Sequence, residues 1–326
     1  MAKLTIEDMA VFCKRKGFVY PNSEIYGGFS GFWDFGHLGV ELKNNIKNEW
    51  WKFHVQNRED IVGMDGSIIT HPKVWVASGH VANFSDLMLT TKKSKTKIRA
   101  DQFIEEKLGT AADGMEADEI NELIKKNNLK YNNEEFEELK NFNLMFETNA
   151  GPEEGQKAYL RPETAQLIFT DFKLVVDNAR LKLPFGIAQM GRAFRNEISP
   201  RDFLFRCREF EQMEIEYFAH PDKTQKCPFI DEVLEVELNF YTAEMQEKKQ
   251  ESKKMKVKEA LAKKMISEWH AYWLKQQYQW FVDLGIKKEN LRVREHKKDE
   301  LAHYSSACFD IEYNFPFGWA ELWGIA

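Results

Sequence analysis

RPETAQLIFTDFKLVVDNARLKLPFGIAQMGRAFRNEISPRDFLFRCREFEQMEIEYF, residues 161–218, decides the reading of this chain. Two apolar segments flank a turn loaded with Arg, Asn and Glu, the signature of an anion-binding hairpin. In the first segment, Phe185 to Arg195, strand alternation puts Gln189, Gly191, Ala193 and Arg195 on one face and Ala188, Met190, Arg192 and Phe194 on the other. The first face is low in the middle and polar at its ends, so the expectation is a pocket floor on which a flat ligand lies.

The returning segment, Cys207 to Phe218, sets Glu209, Glu211, Glu214 and Glu216 among Phe210, Met213, Ile215 and Tyr217. Carboxylates are depleted in strands and costly to bury unless paired or bound. The plain alternative is an edge strand whose carboxylates face water or pair with Arg192, Arg206 and Arg208. The turn weighs against that alternative. Arg195, Asn196 and Glu197 end the first strand and Pro200 and Arg201 lie in the connection, so several guanidinium groups crowd one loop and call for an anion.

The FRNE stretch (Phe194 to Glu197) and the RxxxF spacing from Arg206 to Phe210 resemble motif 2 of the class II aminoacyl-tRNA synthetases, and the surrounding sequence resembles the homodimeric glycyl-tRNA synthetase family. Upstream, Gly31 to Trp51 and Arg58 to Asp86 resemble the motif 1 region, with Pro72 as its proline; downstream, His303 to Ala326 resembles the strands that lead towards motif 3. The resemblance implies an α+β fold: a mostly antiparallel sheet flanked by helices, with two insertions. It divides residues 1–326 into a motif 1 region (1–90), a first insertion (91–155), a motif 2 core (156–219), a largely helical second insertion (220–300) and core strands (301–326).

The activity implied is ATP-dependent activation of glycine to glycyl-adenylate and transfer to glycine tRNA by a homodimer. Arg195, Glu197 and Arg206 would carry the chemistry. Arg195 would hold the α-phosphate and the amino-acid carboxylate, since its planar fork can bridge two oxygens. Arg206 would meet the β- or γ-phosphate, Phe210 would stack on adenine, and Glu197 would accept from the adenine amino group. Asn196, Phe205 and Leu322 complete the ATP site, and Glu321 would take part in Mg²⁺ and ATP binding as a hard oxygen ligand. Glu163 would bind the glycine ammonium, with Arg99, Phe210, Glu211, Gln212, Met213 and Glu214 lining the pocket. Glu163 also suits a helix N-terminus after Pro162, and Arg99 could form a surface pair with Asp101.

Two departures from the family pattern qualify this. Relatives commonly carry a CxxC pair where this chain has Thr91 and Ser94, and with its four cysteines far apart no zinc is expected in the chain. The chain also stops at Ala326, before motif 3 and an anticodon-binding domain, so the expectation is an incomplete catalytic domain with weak or absent aminoacylation. The alternatives are a class II synthetase for another small amino acid and a non-catalytic synthetase-like protein that binds RNA or a partner.

Composition agrees with a soluble globular enzyme: 326 residues, 43% hydrophobic and 30% charged, with a net charge of −6. No apolar run approaches the roughly 20 residues that span a bilayer, and Met1 to Gly17 shows no signal-peptide pattern, which points to the cytoplasm and no membrane partner. Cys13, Cys207, Cys227 and Cys308 lie far apart and read as free thiols. Basic stretches at Thr90 to Arg99 and Lys248 to Lys264 could face tRNA phosphates, although the interleaved Glu residues of the second favour a solvated face. The glycine-rich Tyr26 to Gly31 lacks the spacing of a phosphate loop. Helices are expected from Thr5 to Gly17, from Val40 to Trp51 and through much of Pro228 to Leu284, with an extended segment from Ile61 to Ile69 and an acidic helical insertion from Arg99 to Asn143.

Overall fold

The computed structural model describes residues 4–110, 112, 114–152, 155–220, 226–301 and 305–326. They group into two units, one spanning 7–217 and the other 218–326 together with 4–6. The first two residues of the stretch beginning at His303 lie outside the described residues.

The first unit opens with α1 (Ile6–Lys16), acidic in its first turn and basic in its last, the arrangement the helix dipole favours. Strands β1 (Val19–Pro21) and β2 (Trp33–Phe35) pair antiparallel. The next helix, α2 (His37–Trp51), begins three residues earlier than its apolar pattern predicts and continues into a π turn, Lys52–Gln56. Of the extended segment expected to Ile69, only Ile61–Met64 is a strand, β3; Ile69 makes an isolated bridge to Leu160. Two short helices follow, α3 (Lys73–Ala77) and α4 (His80–Asn83).

The stretch from Ser85 to Asn143, expected to be largely helical from Arg99 on, is part sheet and part helix. Strands β4 (Ser85–Thr90) and β5 (Lys97–Arg99) lead to α5 (Ala100–Leu108), α6 (Ala117–Lys126) and β6 (Lys140–Asn143), with β4 central in the order β5-β4-β6. Phe103, Ile104 and Ile120 of the helices bury themselves with Leu89 and Leu139, giving the insertion a core of its own. At its tip Thr91 and Ser94 face each other, hydroxyl to hydroxyl at 2.7 Å, and Glu134 accepts from the backbone of Lys93 and Ser94.

A hairpin, β7 (Glu147–Ala150) and β8 (Gln156–Tyr159), then leads to α7 (Ala165–Ala179) and to the long strands β9 (Phe185–Phe194) and β10 (Glu209–Phe218). They form a sheet in the order β10-β9-β3, with β3 parallel to β9.

The second unit is built on a five-stranded sheet. Strands β11 (Glu237–Tyr241) and β12 (Lys253–Lys256) interrupt the helical stretch expected between Pro228 and Leu284. Alternation explains them: Leu238 and Phe240 are buried on β11, and Glu237 stands opposite Lys256 across the pair. Around them lie α8 (Ala243–Glu247), α9 (Val257–Ala262) and α10 (Glu268–Asp283). Next come β13 (Leu291–Glu295), β14 (Phe309–Phe315) and β15 (Gly318–Ile325), which complete the order β12-β11-β13-β14-β15. Strands from the expected second insertion and from the expected core segment therefore share one sheet. Among the described residues no helix is long and apolar enough to cross a membrane.

Candidate active site

The turn RPET, residues 161–164, is clamped onto the β9–β10 sheet. Arg161 is 2% exposed. Its Nε donates to Arg192 O at 2.6 Å and its Nη1 to Gly66 O, also at 2.6 Å. Gln189, fully buried, donates to Thr164 O at 2.6 Å and accepts from Gly66 N. From β10, Gln212 accepts from Thr164 N at 3.2 Å and Glu214 accepts from the Thr164 hydroxyl.

This geometry corrects the expected pocket floor. A Cβ on Gly191 would stand 2.0 Å from Arg161 Nη2, and Ala193 is fully buried. The low middle of that face makes room for the Arg161 guanidinium, not for a ligand.

At the end of β9 the polar groups do converge. Arg195 donates from Nε to Pro162 O at 3.1 Å, with its Cζ 5.3 Å from the Phe210 ring and 5.6 Å from that of Phe84. Beside it lie the carboxyls of Glu163 and Glu214, with Glu216 next to those two. Burial alone would raise the pKa of Glu163, but hydrogen bonds with His80 and Gln166, with the Arg195 charge, hold it below the usual carboxylate range. Glu214 is raised by burial and by the Glu163 charge, against the pull of Thr164 and Arg195. Burial and the charges of Glu214 and Glu163 push Glu216 up to about 8. Carboxyls gathered this closely favour a cation between them.

A second convergence lies in the loop that joins β9 to β10. Glu197 is 7% exposed; its carbonyl accepts from Arg208 Nε and Nη2 at 3.0 and 2.8 Å, and its Oε2 is 3.8 Å from Arg206 Nη1. Asp202 and Phe203, both at φ 57°, turn the loop between Arg201 and Arg206. Arg99 pairs with Asp101 at 2.8 Å and with Asp86 at 3.3 Å. Burial, with the charges of Asp101 and Glu197, raises the Asp86 carboxyl against Arg99 and Arg206, so Asp86 links Arg99 to this loop electrostatically. Asp86 Oδ2, Glu197 Oε2 and Arg206 Nη1 are buried polar atoms without a hydrogen-bond partner, a condition a ligand would relieve.

Among the residues singled out in sequence, the structure thus brings Glu163, Arg195, Phe210, Gln212 and Glu214 together, and Arg206 to Glu197. Asn196 contributes a backbone bond to Leu144 O at 2.8 Å, and Phe205 is exposed. Glu211 and Met213 are not in this group: strand alternation turns them to the other face, where Lys43 and Lys47 of α2 hold Glu211 at 2.9 and 2.6 Å. Sequence reasoning missed His80, Asp86 and Thr164. For Asp86 the available signal is Arg99, whose charge takes Asp86 as a second partner besides Asp101.

Glu321 and Leu322 belong to the second unit. Glu321 stands opposite Glu312 in register, just past a β-bulge between Ile311 and Glu312. A Cβ on Gly324 would lie 3.1 Å from Glu321 Oε1 and 3.5 Å from Asp310 Oδ1, so the glycine leaves a gap flanked by two carboxylate oxygens. That donor set fits a hard divalent cation such as Mg²⁺.

The model of the class II tRNA synthetase core domain (G, H, P, S and T) matches residues 145–316, and the chain belongs to that family. Within it, the chain is 44% identical to the glycine–tRNA ligase of Caldanaerobacter subterraneus subsp. tengcongensis over 99% of its own length and 63% of the relative's. The glycine–tRNA ligases of Clostridium kluyveri and Acetivibrio thermocellus match at the same identity and coverage. The chain therefore spans about 63% of the length of the curated relatives it matches.

Proposed function

We propose that the chain is the activating part of a glycine–tRNA ligase, using ATP to form glycyl-adenylate and passing the glycyl group to the terminal adenosine of glycine tRNA. The observation that carries this reading is the juxtaposition of Arg195 with Glu163 and Glu214, a cation beside paired carboxyls, which is complementary to an amino-acid zwitterion. The names of the relatives support it.

A glycine carboxylate oxygen attacks the α-phosphorus in line and pyrophosphate leaves; a tRNA hydroxyl then attacks the activated carbonyl and AMP leaves. Arg195 bridges the attacking carboxylate and the α-phosphate and stabilises charge building on the non-bridging oxygens, an effect typically worth about 10²–10³ in rate. Phe210 and Glu197 receive adenine, and Arg206 meets the terminal phosphates. Arg99, held by Asp86, is kept close to the site. Glu163 and Glu214 accept the ammonium, and carboxyls crowded around the substrate Cα would disfavour any side chain on it. A divalent ion, for which Glu321 is the proposed ligand, would neutralise charge on the phosphates when bound.

Self-association into a dimer and action in the cytoplasm are part of the proposal. Ile25 (87% exposed) and Tyr26 (86%), with Phe12 of α1 and Leu42 of α2, present apolar side chains that a second copy would cover. The test of the function is pyrophosphate exchange with ATP and each of glycine, alanine, serine, threonine and proline. Exchange is expected with glycine alone; exchange with another of these but not glycine moves the assignment to that amino acid, and ATP binding without any exchange favours a non-catalytic role.

A further inference from the structure

Among the described residues, one group of three side chains carries ligand atoms of three different kinds within 4.8 Å of one another: His296, Cys308 and Asp310. Register brings them together. Glu295 of β13 pairs with Phe309 of β14, and His296 N extends the ladder by donating to Cys308 O at 2.9 Å. His296 is thus the cross-strand neighbour of Cys308 and the diagonal neighbour of Asp310, and the last two share a face of β14. His296 Nε2 lies 2.6 Å from Asp310 Oδ2. Asp310 is 5% exposed, whereas His296 and Cys308 are partly open to solvent, which gives an ion a route in.

We propose that His296, Cys308 and Asp310 bind a divalent transition ion of the zinc type. Thiolate, imidazole and carboxylate together suit a borderline-soft tetrahedral ion and not Mg²⁺ or Ca²⁺. In such a site the ligand atoms stand about 3–4 Å apart, so the three groups need only side-chain adjustment to close on one ion, leaving the fourth position for water. The ion replaces the proton that His296 shares with Asp310. Arg294, whose Nη1 is 3.6 Å from Asp310 Oδ2, is hydrogen-bonded to Glu300 and keeps that partner when the ion enters. The site shares Asp310 with the carboxylate pair beside Gly324 but uses its Oδ2, whereas Oδ1 is the oxygen nearest Gly324.

The test is titration of the chelator-treated full chain with Co²⁺, read by the thiolate-to-cobalt absorption band, with Zn²⁺ stoichiometry by mass spectrometry and folding followed by circular dichroism. One ion per chain is expected, with a band abolished by Cys308→Ser and retained in Cys13→Ser and Cys227→Ser. Asp310→Asn should weaken binding at least tenfold. Zn²⁺ should raise the melting temperature of the unaltered chain. No band, a band that survives Cys308→Ser, full affinity in Asp310→Asn, or displacement of the ion by millimolar Mg²⁺ would each overturn the proposal.

Discussion

His80 Nε2 lies 3.3 Å from Glu163 Oε1, while its Nδ1 meets the Ser78 hydroxyl at 2.8 Å. The ring is held at both nitrogens, and the Glu163 carboxylate takes its orientation from it and from Gln166 at 3.0 Å. Removing a hydrogen bond to a charged group costs about 1.5–3 kcal/mol. His80→Ala should therefore raise the KM for glycine by about tenfold or more while leaving the KM for ATP unchanged. Exchange kinetics with each substrate varied in turn check this; equal effects on both would point to a general collapse of the site.

Glu216 makes stability fall with rising pH. Its pKa is raised in the fold from an ordinary 4.5 to about 8, so between those values the native state holds a proton that the unfolded state has released. The effect is on the order of a few kcal/mol. Glu216→Gln should remove it, making the variant more stable than the unaltered chain at pH 8.5 and nearly equal to it at pH 4.5. Urea denaturation at the two pH values measures the difference.

Arg195→Lys keeps the charge and loses the planar fork. Activation of glycine should drop about 100-fold or more in kcat/KM, since an ammonium cannot bridge the carboxylate and the phosphate together. Activity within threefold of the unaltered chain would remove Arg195 from the role proposed for it.

Arg292 is packed between two rings, its Cζ 4.1 Å from that of Tyr241 and 4.6 Å from that of Trp319, and its Nε donates to Glu312 at 2.5 Å. Both side chains are largely buried, at 14% and 8% exposure. Arg292→Ala leaves a buried carboxylate unpaired, at a cost of about 3 kcal/mol. Arg292→Ala combined with Glu312→Gln should recover part of that loss, and a denaturation double-mutant cycle should give a coupling above about 1 kcal/mol.

The sequence made the β9–β10 hairpin legible because both strands alternate over ten residues and a charged turn separates them. It made α1 legible through the capping-box-like Thr5 and Asp8 at its start and Gly17 at its end. It concealed β11 and β12, whose five and four residues sit among helices and carry Glu and Lys that also suit a helix. At the site, Arg195 stands out among the crowded guanidinium groups of the turn, whereas Glu163 is marked only by the resemblance of RPET to the family. Residues 210–214 suggest one continuous lining, but a strand divides its members between two faces and sends Glu211 to the side of Lys43 and Lys47. His80 and Asp86 escaped because their partners lie about 80 and 13 residues further along the chain, a pairing that only the fold creates. The His296, Cys308 and Asp310 group escaped in the same way: the thiol and the imidazole meet across a strand pair, not within a short sequence spacing.

Gly191 and Arg161 are sterically coupled: one can be large only while the other has no side chain. Any side chain at 191 would have to occupy the volume of a guanidinium that also ties Gly66 to Arg192, so substitution there would release the turn bearing Glu163 before it altered any contact with a substrate. A relative that carries a larger residue at this place on the strand should therefore have replaced the arginine thirty positions earlier, and the two changes should be tolerated only in company.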